Sequence, residues 1–235
     1  MVQFSFQLKE IANVDDILFK NAFRIYKKAF PPELTQEIEV FARILQSKEQ
    51  GQDRHIIVAI LNDKVIGMAT LNYFYRSNIG CIGYIVIGPQ WQKKGFGTKL
   101  YNGLVEKLSQ DAKMQGKLGP DALFSEVEKS EFAKTNTEEK EDLERIRFFK
   151  GIGCKIIKAK YFQPSLGPGL NPVEINLMVQ VLNPKLELNR EWLIEAVDSI
   201  YEYIYVVESD LQPKEKNEYM KILELSVSGS KLELN

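Results

Sequence analysis

Phe4, Phe6 and Leu8 place an apolar residue at every second position, which predicts a first strand. The period then lengthens. Ile17, Leu18, Ala22, Ile25, Tyr26 and Phe30 follow helical spacing, with Asn13 as the expected N-cap and Asp15 and Asp16 in the first turn, where carboxylates suit the positive end of the helix dipole. Pro31-Pro32 stops this helix. A second helical pattern runs through Ile38, Phe41, Ala42 and Leu45 and ends near Gly51. The pattern then changes: His55 to Leu61 and Val65 to Tyr75 are expected strands, with Asn62-Asp63 as the turn between them. After a second turn at Asn78-Ile79-Gly80, Cys81 to Ile87 is apolar throughout, as a central strand covered on both faces would be. The short connections predict an antiparallel meander.

Leu100, Tyr101, Leu104, Val105 and Leu108 mark an amphipathic helix, broken by Gly116 to Pro120. Ala122 to Val127 is a further strand, and a helical crossover lets it run parallel to Cys81–Ile87. Lys129 to Asp142 holds eight charged residues in fourteen and reads as an exposed loop or a solvated helical turn. A short helix is expected from Leu143 to Lys150, then strands over Lys155–Tyr161 and Val173–Leu182, joined by a loop rich in Pro and Gly that includes Pro168. After Pro184, Trp192, Ala196, Ile200, Tyr203, Ile204 and Val207 predict one amphipathic helix. The expected organisation is a domain over 1–183 with a C-terminal helical extension over 184–235.

The 235-residue chain is 44% hydrophobic and 27% charged, the composition of an ordinary globular protein. Its 31 basic and 32 acidic side chains give a net charge of -1, so a broad basic face for nucleic acid is not expected. No stretch reaches the ~18 apolar residues of a membrane span. The two cysteines, Cys81 and Cys154, sit among apolar residues and read as buried thiols. One histidine, His55, builds no His-rich metal site, and neither CxxC nor HExxH occurs, so no metal is expected. With no leader pattern in the first residues, a cytoplasmic protein is expected.

The chemistry concentrates between the apolar strand and the amphipathic helix, in Ile87-Gly88-Pro89-Gln90-Trp91-Gln92-Lys93-Lys94-Gly95-Phe96-Gly97-Thr98. Two glycines at a helix start let a ligand approach the backbone, and the N–H groups of the first turn with the helix dipole favour an anion. Lys93 and Lys94 add two cations. GxxxxGK[ST] and GxGxxG are both absent, which excludes a Walker-type or dinucleotide loop.

Gln92, Gly95 and Gly97 fill the places of Q/R-x-x-G-x-G/A, so this stretch resembles the signature of the GNAT N-acetyltransferase superfamily. Ile87-Gly88-Pro89 is similar to that family's V-x-P at the strand end. Arg147 to Cys154 looks like its F-Y-x-x-x-G-F helix and strand. The resemblance covers roughly residues 3–182. It implies an α+β fold: a mixed, mostly antiparallel central sheet flanked by helices, splayed between the central strand and the next, parallel one.

The resemblance also implies acetyl-CoA as co-substrate. Its pantetheine arm would pair with backbone of Ile85, Val86 and Ile87 beside a bulge, and its pyrophosphate would meet amides of Gln92, Lys93, Lys94, Gly95, Phe96, Gly97 and Thr98. The family's frequent tyrosine acid falls on Phe149, which has no proton to give but would still line the cofactor. Tyr84 and the Ser125 hydroxyl are the alternative acids. Glu126 and Glu128 share one face of their strand and are the candidate bases. Cys81, where some relatives place a glutamate, reads as packing. Phe30, Tyr73, Phe74, Tyr75, Tyr161 and Phe162 are either core or an acceptor surface. That surface is expected near Pro31-Pro32-Glu33 and the 163–172 loop. The resemblance implies a small-molecule or peptide amine as acceptor, and the helix expected within 184–235 is a candidate homodimer contact. A catalytically silent CoA-binding sensor is the alternative, motivated by Phe149.

Overall fold

In the computed structural model, residues 5–31, 34–46, 50–167, 169–209, 211–227, 229 and 231–235 are described. Phe4, Pro32, Glu33 and Pro168 therefore lie outside the described residues. The elements are β1 (Phe6–Glu10), α1 (Ile17–Ala29), α2 (Ile38–Gln46), β2 (Gln52–Leu61), β3 (Lys64–Phe74), β4 (Ile79–Ile87), α3 (Phe96–Met114), β5 (Ala122–Glu128), α4 (Asn136–Gly151), β6 (Lys155–Ile156), β7 (Tyr161–Gln163), β8 (Val173–Val181), α5 (Arg190–Ile200), α6 (Val207–Ser209) and α7 (Pro213–Ser226). The strand order is β1-β2-β3-β4-β5-β8-β6, with β7 also on β8. Every pair with a described register is antiparallel. β5 follows β4 through the α3 crossover, which makes that pair parallel. The fold class is the expected one, a mixed α+β sheet flanked by helices.

The chain forms two compact units: residues 1–75 with 82–119, and 76–81 with 120–235. β4 contributes Ile82–Ile87 to the first and its opening residues to the second.

The first unit is a meander with helices on it. Asn62 and Asp63 both take positive φ (46° and 63°), as a two-residue hairpin between β2 and β3 requires. Phe19, Ala22 and Tyr26 of α1 and Phe41 of α2 bury against Ile56, Val58, Met68 and Val86 of the sheet. α3 lies close against β1: a Cβ added at Gly103 would sit 2.0 Å from Leu8 Cδ1. The α1 cap differs from expectation. Asp16, one residue before the helix, accepts the Leu18 N–H (2.8 Å), while Asn13 accepts the Asp15 N–H (2.9 Å) in a separate turn. α2 ends at Gln46, short of Gly51. The expected turn at Asn78-Ile79-Gly80 is tighter, because Asn78 takes φ 52° and β4 already starts at Ile79.

The second unit pairs β5 with β8 along its whole length, from Ala122↔Val181 to Glu128↔Ile175. The charged 129–142 stretch is mostly helical: α4 begins at Asn136, with Thr135 accepting the Glu138 N–H. The strand expected over 155–161 is interrupted and becomes β6 and β7, both on β8. The single C-terminal helix expected is α5 running into a π-helical segment, Tyr201–Val206, followed by α6 and a separate α7. Trp192 packs on Phe124 with ring centroids 5.5 Å apart. No helix among the described residues is long and apolar enough to cross a membrane.

Candidate active site

The strand-to-helix turn lies at the end of β4. Pro89–Trp91 forms a single 3-10 turn, and Lys93 (φ 59°) and Gly95 (φ 81°) both take the left-handed conformation. Gly95 is the N-cap of α3 and supplies no capping side chain. The Lys99 N–H donates to the Gly95 carbonyl (3.1 Å), so the helix ladder starts there. Intrahelical bonding leaves the N–H groups of the first turn unused, and a helix start normally satisfies them with an N-cap side chain. Here that cap is a glycine, so the positive end of a 19-residue helix is open to an anion.

The turn itself is braced from below. Gln92 Nε2 donates to the Ile87 carbonyl (2.9 Å), tying the turn to the last residue of β4. Lys94 Nζ donates to the Gln90 carbonyl (2.9 Å) and lies 5.3 Å above the Trp91 ring. Phe96 stacks on Phe6 (5.7 Å). Gln92, Lys93, Lys94, Gly95 and Thr98 are exposed, and Phe96 and Gly97 are partly buried.

The strand leading into the turn is tightly held. The Gly88 N–H donates to the Ile66 carbonyl (2.8 Å). A Cβ on Gly67 would lie 2.2 Å from the Val86 carbonyl oxygen, so only glycine lets β3 approach here. Further back, Thr70 Oγ1 accepts the Tyr84 N–H (2.9 Å), and a Cβ on Gly83 would sit 2.8 Å from the same hydroxyl. A side chain thus receives a β4 amide in the stretch where a bulge is expected. Val86 and Ile87 are buried, but Gly83, Tyr84 and Ile85 are only partly so, which departs from a strand covered on both faces. The Tyr84 ring packs edge-on against Tyr26 (4.7 Å) and Phe30 (5.4 Å).

The carboxylates belong to the second unit. Glu126 and Glu128 share a face of β5 and are both partly buried, but their partners differ. Glu126 accepts from the Tyr161 hydroxyl (2.5 Å) and from the Tyr205 hydroxyl (2.7 and 2.8 Å to its two oxygens). Burial raises its pKa, and the two tyrosine donors oppose the rise without cancelling it. Glu128 ion-pairs with Arg145 (3.3 Å), which also holds Asp142 (2.7 Å). Burial raises the Glu128 pKa too, against the attraction of Arg145. Glu126 is thus a carboxylate held by neutral donors, and Glu128 is one partner of a cation.

Phe149 is buried in α4, as are Cys81 in β4 and Ser125 in β5. The Ser125 hydroxyl has no hydrogen-bond partner among the described residues. Of the six aromatic residues expected either in the core or on an acceptor surface, Tyr73, Phe74 and Tyr161 are fully buried, whereas Phe30, Tyr75 and Phe162 remain partly exposed. Tyr205 was not among the expected site residues. Its sign in the sequence is the alternation Tyr201, Tyr203, Tyr205, which puts hydroxyl-tipped rings in the C-terminal pattern where plain apolar side chains would serve a core. No group of His, Cys, Asp and Glu among the described residues is arranged to hold a metal ion.

The family model "Acetyltransferase (GNAT) family" matches residues 19–118, a span that runs from α1 through the turn and α3. A comparison with curated protein sequences finds no match. Among solved structures, a Bacteroides thetaiotaomicron protein assigned to the GNAT acetyltransferases is 17% identical, with a TM-score of 0.58 over 88% of this chain and 99% of the other. A GNAT-family protein from Desulfovibrio desulfuricans is 16% identical, with a TM-score of 0.50 over 76% of this chain and 100% of the other. A tandem GNAT protein of the clavulanic acid biosynthesis pathway is 12% identical, with a TM-score of 0.51 over 68% of this chain and 47% of the other. At these identities the structural likenesses establish the fold. Residues 19–118 thus match the GNAT acetyltransferase family model, and the chain has the fold of solved GNAT acetyltransferases.

Proposed function

We propose that this chain is an acetyl-CoA-dependent N-acetyltransferase that passes the acetyl group to a primary amine of a small molecule or protein. The observation that carries this reading is the start of α3: a left-handed glycine cap, no capping side chain, and two lysines in the preceding turn. That arrangement suits a pyrophosphate. Amides from Gln92 to Thr98 would receive it, and the β4 backbone at Ile85, Val86 and Ile87 would receive the pantetheine arm.

Transfer forms a C–N bond to the acetyl carbon and breaks the C–S bond of the thioester. The attacking nitrogen must lose a proton, and Glu126 is the residue we assign as its acceptor. A carboxylate whose pKa is raised by burial is a stronger base than an exposed one, which suits work near neutral pH. Glu128 fits less well, because its charge is already engaged by Arg145. The thiolate leaves with a proton from Tyr84 or from solvent, since Phe149 has none to give.

Phe149 also motivates the second reading, a CoA-binding sensor without turnover. Incubation with acetyl-CoA and a panel of amines, following free thiol, separates the two. The enzyme reading expects thiol release with at least one amine, lowered about 100-fold or more by Glu126→Gln at unchanged CoA affinity. Tight CoA binding with no thiol release from any amine supports the sensor. Failure to bind CoA removes both readings.

A further inference from the structure

Glu126 has an unusual set of partners for a partly buried carboxylate. Buried acids are normally held by a cation, as Glu128 is by Arg145. Among the described residues the hydrogen-bond donors to Glu126 are two tyrosine hydroxyls, that of Tyr161 of β7 on one oxygen and that of Tyr205 of the π-helical segment, whose single proton is shared between the two oxygens. The titratable groups that act on it among the described residues are these tyrosines. Tyr201 lies beside them, but its hydroxyl donates elsewhere, to the Phe162 carbonyl (2.8 Å).

The rings hold the two hydroxyls in place. Tyr161 stacks on Tyr201 at 5.5 Å with the ring planes 11° apart, and Tyr201 meets Tyr205 edge-on at 6.0 Å. Tyr219 of α7 closes the set, against Tyr201 (6.1 Å) and Phe162 (5.9 Å). Tyr161, Tyr201 and Tyr205 are all essentially inaccessible to solvent. The segment that delivers Tyr201 and Tyr205 is π-helical over Tyr201–Val206, a rare backbone form that recurs at functional positions. A segment whose task was only to cover the sheet would need neither the widened backbone nor two buried hydroxyls with partners to find.

We propose that Tyr205 is a positioning residue for Glu126, and that the C-terminal π-helical segment exists to place it. Together with Tyr161 it fixes the carboxylate by neutral donors. The group stays orientated, and no cation among the described residues pairs with it. This rests on the reading of Glu126 as base. It adds that part of the 184–235 region, which lies outside the matched family span, takes part in setting that base.

The test compares Tyr205→Phe with Tyr201→Phe. Both remove one buried hydroxyl, but only the first removes a donor to Glu126. Losing a donor to the charged form raises the carboxylate pKa. The acid limb of kcat/KM should therefore move to higher pH by about one unit in Tyr205→Phe and stay in place in Tyr201→Phe. The KM for acetyl-CoA should be unchanged in both. Equal movement of the acid limb in the two variants overturns the proposal. A second measurement keeps the base assignment separate. The Glu126 carboxyl is titrated by carbon-13 NMR, assigned by its disappearance in Glu126→Gln. A raised Glu126 pKa in Tyr205→Phe with an unmoved acid limb supports the clamp and places the fault in the base assignment. A Glu126 titration identical to wild type overturns the clamp itself.

Discussion

Replacing Gly95 by alanine isolates what the turn at the start of α3 requires. A Cβ built on Gly95 would meet no heavy atom within 4 Å, so alanine brings no clash. What it brings is a side chain at φ 81°, a left-handed conformation that costs a non-glycine residue about 1–2 kcal/mol. The protein can respond in two ways. It can keep the turn and bear the strain, lowering Tm by about 2–4 °C per kcal/mol at this size. Or the turn can relax, which rotates the amides of Phe96, Gly97 and Thr98 away from a bound pyrophosphate. Each charge-assisted hydrogen bond lost that way is worth about 1.5–3 kcal/mol, or roughly ten- to a hundredfold in Kd. Gly95→Asn is the control, because asparagine tolerates the left-handed region and should recover most of either loss. The assays are thermal unfolding and calorimetric titration with CoA, on wild type and both variants. If Gly95→Ala keeps wild-type stability and wild-type CoA affinity, the left-handed cap is not required and the reasoning fails.

Further outcomes are expected elsewhere in the first unit. His55 of β2 lies between Glu10 of β1 (2.6 Å) and Asp111 of α3 (3.0 Å), with Lys107 closing the group. Burial works against the imidazolium, but the bonds to Asp111 and Glu10 outweigh it and raise its pKa above 6.5. His55 therefore adds stability that is fully present below pH 6.5 and is lost as pH rises through the raised folded value. The Glu10 carboxylate, held by the hydrogen bond to His55, has its pKa lowered from 4.5, so its contribution is present above pH 4.5 and fades as pH falls through the lowered value. The urea midpoint should fall between about pH 6 and pH 9 in wild type and should fall less in His55→Gln; equal slopes would contradict this. Gly67→Ala drives a Cβ toward backbone, the Val86 carbonyl oxygen, and should cost about 2 kcal/mol or more in chemical denaturation with a parallel loss of CoA affinity. A neutral Gly67→Ala would mean that β3 and the end of β4 are not tightly held.

The first unit is legible in the sequence because β2, β3 and β4 are apolar runs bounded by turn residues and Asn62-Asp63 takes the left-handed turn its residue types favour. Turn and helix likewise follow from Gly95 and the Leu100, Leu104, Leu108 stripe. Where burial does not impose a period, the reading loses the element. The first turns of α4 are exposed and carry no apolar stripe, so they read as either an exposed loop or a solvated helical turn. Their signal is local: Thr135 with Glu138 three residues on is a helix-start pattern, and Thr135 accepts the Glu138 N–H (3.2 Å). Asn13 and Asp16 show the same limit, since both can cap and only the chain path decides which does. The partner of Glu126 is harder still. Tyr205 is 79 residues away in sequence, and it reaches the carboxylate through a π-helical segment that 3.6-residue periodicity does not anticipate. His55 opens a strand and reads as unremarkable there, because Glu10 and Asp111 meet it from two other elements.

Hydrogen–deuterium exchange with and without acetyl-CoA measures the claim at the start of α3 directly. If the pyrophosphate sits on the helix start and the pantetheine on β4, acetyl-CoA should slow exchange most at the amides of residues 85–87 and 95–98, with little change across α1 or α5. Slowed exchange confined to other segments at saturating acetyl-CoA, with the amides of 95–98 exchanging as in the free protein, would contradict the account.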